Sequence, residues 1–238
     1  MTKIIGHRGA AGLALENTIE AIHAGIKAGV HAIEFDVHAT RDGKLVVCHD
    51  PHLARVSGSL AVIEDLTYEE LRKIELHNGQ YVPLLEEVLS AAGKTPVVIE
   101  IKVKGHTKAI CDIVAKYPRL DVMFASFKRG VIKECRTLMP DVPALVGRKG
   151  AHPLDIVQVA KDENATGIDL NFRLLNPLTY WLCKRANLQI MAYTVNSQFI
   201  NKLIRRMYPD VWICTDYPDK FLRKVTSARN IRSQRKVN

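Results

Sequence analysis

Short apolar runs recur through the chain, and the way they recur limits the fold more than any other feature. Residues 3–8, 31–37, 44–48, 97–102, 121–127, 143–147, 166–170, 188–195 and 211–215 read as strands. Most are continuous rather than alternating, as in Val97-Val98-Ile99 after Pro96. Continuous apolar strands belong to a parallel sheet covered on both faces. The segments between them carry helical spacing: Ile19, Ile22 and Ile26; Ile110, Ile113 and Tyr117; Val131, Cys135 and Leu138; Phe199, Leu203 and Met207. If 31–37 and 44–48 share one position, interrupted at Arg41-Asp42-Gly43-Lys44, eight strand–helix units fill 238 residues. That number predicts a (β/α)8 TIM barrel in the α/β class. A doubly wound open sheet competes, but it normally uses fewer strands and often carries a GxGxxG loop, which is absent.

A single catalytic domain is expected over 1–225, with a small insertion at about 50–82 after the second strand. The insertion contains a short helical piece around Thr67–Ile74 and precedes a second helix beginning near Pro83. Residues 226–238 are expected to form a basic, flexible tail. Lys and Arg number 34 against 25 Asp and Glu, and six of the basic residues fall in 223–238 without an acid. A tail of this kind is usually a solubilising extension; it leaves weak peripheral membrane contact open, and nucleic acid is not expected. No apolar run reaches the length of a membrane span, and the first residues lack the pattern of a secretory signal. The five cysteines, Cys48, Cys111, Cys135, Cys183 and Cys214, are widely spaced without a CxxC. They read as reduced core residues of a cytoplasmic protein rather than zinc ligands.

The chemistry gathers at strand ends. Ile4-Ile5-Gly6 runs into His7-Arg8-Gly9, Ala32-Ile33 into Glu34-Phe35-Asp36, Leu45-Val46-Val47-Cys48 into His49-Asp50, and Val97-Val98-Ile99 into Glu100-Ile101-Lys102. Barrel active sites are built on that face. Residues two apart on a strand share a side, so Glu34 projects with Asp36 and Glu100 with Lys102. Three clustered carboxylates repel one another unless a cation sits among them, and all-oxygen donors favour Mg²⁺ or Ca²⁺ over zinc. Arg8 and Lys102 suit phosphate oxygens. His7 and His49 suit proton transfer near neutral pH. Together they describe metal-assisted phosphoryl chemistry with two-histidine acid/base catalysis. Each pair alone has a bland reading: Glu-x-Asp as a solvated edge, His-Arg-Gly as a turn, Lys102 as a structural partner of Glu100. Their joint placement at neighbouring strand ends favours the functional one.

At these residues the sequence resembles the glycerophosphodiester phosphodiesterase family. The resemblance rests on His7-Arg8-Gly9 with Glu16-Asn17-Thr18, on Glu34-Phe35-Asp36 with Asp42-Gly43 and His49-Asp50, on Val82-Pro83-Leu84-Leu85-Glu86-Glu87-Val88-Leu89, and on Ile99-Glu100-Ile101-Lys102. Ser126-Phe127, Tyr193-Thr194-Val195-Asn196 and Thr215-Asp216-Tyr217-Pro218 fall where that family has similar late motifs. It implies a TIM barrel, a divalent cation on Glu34, Asp36 and Glu100, His7 and His49 as acid and base, and Arg8 and Lys102 on phosphate. It implies Tyr193 on the substrate's glycerol, in a place where Trp is frequent. The expected reaction releases glycerol 3-phosphate and an alcohol from a small glycerophosphodiester, by water attack or through a cyclic phosphate. Two alternatives are a phospholipase-D-like barrel acting on lysolipid and a non-catalytic barrel binding phosphate or nucleic acid.

Lesser expectations concern single residues. Glu16 and Asn17, after the first strand, read as active-site loop contacts, with a helix N-cap the favoured role for Asn17 or Thr18. Ser126, Asn171 and Asp216 should touch substrate or support residues that do, and Asp50 should orient a neighbour or cap a turn. His38 and His52 read as exposed loop histidines, Trp181 and Trp212 as helix and strand core.

Overall fold

The computed structural model describes residues 2–148 and 152–222. Eight parallel strands close into a ring. In chain order they are β1 (Ile4–Gly6), β2 (Ala32–Ala39), β4 (Val97–Ile101), β5 (Val122–Ser126), β6 (Ala144–Arg148), β7 (Gly167–Asn171), β8 (Gln189–Tyr193) and β9 (Trp212–Thr215). Each pairs with the next, and β9 returns to β1, Ile5 opposite Cys214. The ninth strand, β3 (Leu45–Val47), runs antiparallel on the far end of β2, Val37 opposite Val47. The two runs expected to share one barrel position are thus a hairpin, of which only β2 enters the ring. The expected TIM barrel is the observed fold.

Helices cover the ring: α1 (Ile19–Ala28), then, past the insertion, α4 (Leu85–Ala92), α5 (Thr107–Val114), α6 (Val131–Leu138), α7 (Pro153–Asp162), α8 (Pro177–Arg185) and α9 (Gln198–Met207). Strand alternation sends Ile33, Phe35 and Val37 outward into the layer between ring and helices, where they are fully buried. The opposite face fills the barrel with Ile5, Ala32, Val98, Met123, Ala125, Leu145, Met191 and Cys214. Two residues further along their strands, Ala32 gives way to Glu34 and Val98 to Glu100. The barrel interior therefore changes from apolar to charged toward its C-terminal mouth.

The segment between β3 and α4 holds α2 (Ala54–Ser57), a 3₁₀ turn at Ile63–Asp65 and α3 (Tyr68–Leu71). It builds its own small core from Val46, Leu53, Val56, Ile63, Leu71 and Val82. Thr67 and Glu70 close a capping box on α3.

Four expectations need correction. Phe199, Leu203 and Met207 face outward, Phe199 being 73% exposed. Here Phe199-Ile200 and Leu203-Ile204 offer two parallel stripes, and the one that packs inward carries Ile200 and Ile204. Leu138 is exposed and Trp181 is 51% exposed, its ring under the Arg185 guanidinium at 5.0 Å rather than in the core. His38 is on β2, not in an exposed loop. Ser126 is fully buried, donates to the Ile101 carbonyl at 2.7 Å and accepts from the N–H of cavity-lining Lys128 at 3.1 Å, so of its two expected roles it takes the supporting one. The five cysteines are buried and unpaired, as expected. Trp212 packs against the interior cluster, with the Lys3 ammonium 4.5 Å from its ring. The basic tail lies outside the described residues. Among the described residues, no helix is long and apolar enough to cross a membrane.

Candidate active site

The first motif forms a tight turn after β1. Gly9 sits at φ +88°, and a Cβ there would meet the Ala21 carbonyl carbon at 2.5 Å. Only glycine lets the turn pack so closely on α1. Arg8 is also in the left-handed region, at φ +50°, with its backbone N–H donating to Glu34 Oε2 at 2.8 Å. The turn after β1 is thereby fixed to the acid on β2.

Register assembles the carboxylates. Asp36 lies beside Glu100 across the β2–β4 pair, with Glu34 two residues before Asp36 on the same side. Oxygens of all three lie within 4.8 Å of one another. Two negative charges at such a distance repel by roughly 3 kcal/mol at an effective dielectric constant near 20. Burial, then the charges of Asp36 and Glu100, push Glu34 well above the usual carboxylate range. Burial and Asp36 push Glu100 up to about 7. Burial would raise Asp36 as well, but Lys102, His49 and Arg8 outweigh it and hold it low. Glu34 Oε1 is buried without a hydrogen-bond partner. An orphaned carboxylate oxygen among two more is what a hard divalent cation would satisfy, so these residues fit one. His7, Glu34 and Cys214 form a second close group, but burial drives the Cys214 thiol well up and disfavours the thiolate a metal would need.

Surrounding groups hold the trio in place. Asn17 Nδ2 donates to Asp36 Oδ2 at 2.9 Å and its Oδ1 accepts from the Asp36 N–H. Thr18, not Asn17, caps α1, accepting from Ala21 N–H at 3.2 Å. Lys102 Nζ lies 2.6 Å from Glu100 and 2.8 Å from Asp36. Arg8 donates to Glu16 at 2.8 Å, with its Nε 3.6 Å from Asp36. Both cations expected to meet phosphate are thus gathered at the carboxylates.

The two histidines have matching supports. His7 Nδ1 is 2.6 Å from Asp216, and Asn196 Nδ2 donates to the other oxygen of that carboxylate at 2.6 Å. His49 Nδ1 is 2.7 Å from Asp50, which accepts from Arg55 Nε at 2.8 Å. Both carboxylates would rise through burial, but these donors hold them low, as charged partners for the rings. A carboxylate on Nδ1 fixes the tautomer that leaves Nε2 free for proton transfer. His49 itself is lowered by burial, against the pull of Asp36. Asp216→Asn should lower kcat by roughly tenfold to a hundredfold, the usual effect of losing a partner that orients a working ring. Metal affinity, read by calorimetry, should stay at the wild-type value; unaltered kcat would contradict the orienting role.

His7, His49, Glu34, Glu100, Arg8, Lys102 and Tyr193 all line one cavity of about 870 Å³. Buried Asp36 lies beneath it, beside Glu100. Tyr193 meets Phe127 edge-on, ring centroids 5.7 Å apart. His38 also lines the cavity, its Nε2 3.1 Å from the His49 carbonyl. That acceptor requires a proton on Nε2, and burial keeps the ring below the ordinary imidazole range. Arg55, from α2 of the insertion, was not evident in the sequence: it pairs with both Asp50 and Glu16, joining the supports of His49 and Arg8. Asp169 is a further unanticipated acid on the cavity wall.

A barrel mouth of this composition defines an enzyme acting on phosphoric diesters. The chain belongs to the glycerophosphoryl diester phosphodiesterase family, whose model matches residues 7–220. It is 31% identical over 232 residues to YhdW of Bacillus subtilis (strain 168), provisionally named a glycerophosphodiester phosphodiesterase, covering 91% of this chain and 95% of that protein. It is 33% identical over 161 residues to human lysophospholipase D GDPD1, covering 61% of this chain and 51% of that protein. Among solved structures, an Oleispira antarctica phosphodiesterase in complex with the product sn-glycerol-3-phosphate superposes with a TM-score of 0.86 at 22% identity. That alignment covers 92% of this chain and 95% of the other, and shows the shared fold.

Proposed function

We propose that this barrel hydrolyses glycerophosphodiesters to glycerol 3-phosphate and an alcohol, with a divalent cation, Mg²⁺ or Ca²⁺, on Glu34, Asp36 and Glu100. The observation that carries the reading is the three-carboxylate group with its orphaned Glu34 oxygen, opening on one cavity with two carboxylate-oriented histidines. Arg8 and Lys102 bind the diester's non-bridging oxygens. The bound cation supplies Lewis-acid neutralisation of phosphate charge. One imidazole takes the proton from the attacking oxygen. The other gives a proton to the alcohol oxygen as its bond to phosphorus breaks. Tyr193 and Phe127 wall the cavity beside the glycerol.

The test is a panel of glycerophosphodiesters (choline, ethanolamine, glycerol, inositol) and lysophospholipids, assayed with Mg²⁺, Ca²⁺ or chelator and coupled to glycerol 3-phosphate detection. Cation-dependent release from the glycerophosphodiesters is expected. Release confined to lysophospholipids would favour the lysolipid reading, and no release would overturn both.

The carboxylates also set a pH dependence. Glu34 and Glu100 titrate above their unfolded value, so without metal the folded chain binds more protons than the unfolded one. That contribution to stability is complete below the unfolded carboxylate range and is lost as pH rises through about 7 for Glu100. Cation binding must displace those protons. Mg²⁺ should therefore raise the melting temperature more at pH 8 than at pH 6. Calorimetry in two buffers of different ionisation heat should show proton release; equal heats at pH 7 would contradict it.

A further inference from the structure

We propose that the side of the mouth facing the carboxylates is a second anion subsite, which takes a phosphate monoester carried on the alcohol half of the diester. The proposal rests on the reading above and narrows its substrate class.

Around the ring, β7 stands four places from β2, across the barrel from Glu34 and Asp36, and β6 is its neighbour, three places from β2 and two from β4. From there two arginines reach the same cavity, Arg148 at the end of β6 and Arg173 in the turn after β7, and Lys128 joins them from just past β5, the strand beside β4. Among the described residues none of the three forms an ion pair, whereas Arg8 and Lys102 are held by Glu16, Asp36 and Glu100. Arg148 Nε is buried without an acceptor. A buried guanidinium N–H left unmatched costs more than an exposed one, and a ligand oxygen would satisfy it. The acid described on this side is Asp169. Burial, then the charge of Glu100, drives it well above the usual carboxylate range.

Charge then decides the ligand. A phosphodiester carries one negative charge, which Arg8, Lys102 and a cation already meet. Arg148 and Arg173 on the far wall, with Lys128 between them and β4, remain without an ion pair among the described residues. A quaternary ammonium alcohol would be repelled by them, and a neutral polyol would leave them unmatched. A phosphate monoester brings about −1.5 to −2 charges near neutral pH and oxygens that fit a guanidinium fork. Phe127 lies between the two sides. Its ring rests on Gly147, where a Cβ would come within 2.5 Å of ring carbons, and stacks edge-on to Tyr193. The aromatic pair gives the substrate's carbon skeleton an apolar wall between two anion sites.

The experiment compares kcat/KM for glycerophosphoinositol 4-phosphate with that for glycerophosphoinositol, in the wild type and in Arg148→Gln and Arg173→Gln. The wild type should favour the phosphorylated diester by roughly tenfold or more, the usual weight of one charge-assisted contact. Each variant should bring the ratio toward one through KM for the phosphorylated substrate. High salt should erode the same preference. Hydrolysis of both diesters at a ratio near one, or a preference that both variants retain, would overturn the subsite while leaving the parent reading standing. Failure to hydrolyse either diester, or glycerophosphocholine, would overturn the parent reading and the subsite with it.

Discussion

His49→Ala should lose about 10²- to 10⁴-fold in turnover, and His7→Ala a similar amount, without loss of the fold. Neither ring belongs to the apolar core: His7 lies in the turn after β1 and His49 at the edge of the insertion, both partly exposed in the cavity wall. Among the described residues, the one side-chain hydrogen bond of each ring goes to a carboxylate, Asp216 for His7 and Asp50 for His49. Truncation therefore removes a proton carrier and little packing. The measurement is glycerol 3-phosphate release under saturating cation, beside a thermal melt to show that the variant is folded. A variant that keeps within about threefold of wild-type turnover would remove that histidine from the reaction. The two losses should not multiply in the double variant, because residues that act as one proton-transfer unit are non-additive.

Glu34→Gln should have the second large effect, and in two opposite directions. The amide keeps the size of the side chain and can still accept from the Arg8 backbone N–H, which now meets Glu34 Oε2 at 2.8 Å. It removes one of three negative charges confined within 4.8 Å. Cation affinity should fall by at least roughly a hundredfold, more than the loss of an outer supporting group would cost, and activity should fall with it. The chelated protein, relieved of like-charge repulsion, should melt higher than chelated wild type at pH 8. For a chain of this size each kcal/mol recovered is worth about 2–4 °C. Wild-type metal affinity, or a lower melting temperature in chelator, would mean that Glu34 is not part of a cation site.

Much of the fold was legible because its signals are local. Continuous apolar strands announce a covered parallel sheet, and a Gly-terminated strand followed by His-Arg-Gly announces where the mouth begins. The carboxylates were legible for the same reason: Glu34 and Asp36 share a strand, and their meeting with Glu100 needs only the neighbouring strand in register. What the sequence concealed depends on distant contacts. Asp216 stands 209 residues from His7 in the chain, so its pairing with that ring was open until the ring of strands closed. Arg55 sits in the least regular stretch and is defined by what it bridges, Asp50 and Glu16. On α9 the spacing was real but ambiguous, since adjacent apolar pairs describe two faces and only packing selects one. His38 looked like a loop residue because the hairpin extends β2 beyond the barrel, which periodicity alone does not reveal. The cations of the second subsite were concealed for a similar reason: Lys128, Arg148 and Arg173 lie at the ends of three different strands and carry no motif.

The most direct test is an anomalous difference map from crystals grown with Mn²⁺ in place of the native cation. A single strong peak bounded by Glu34, Asp36 and Glu100 is expected, with His7 and His49 on the cavity walls beside it. Density elsewhere, or no peak among those three carboxylates at saturating Mn²⁺, would contradict the cation site on which the proposed chemistry depends.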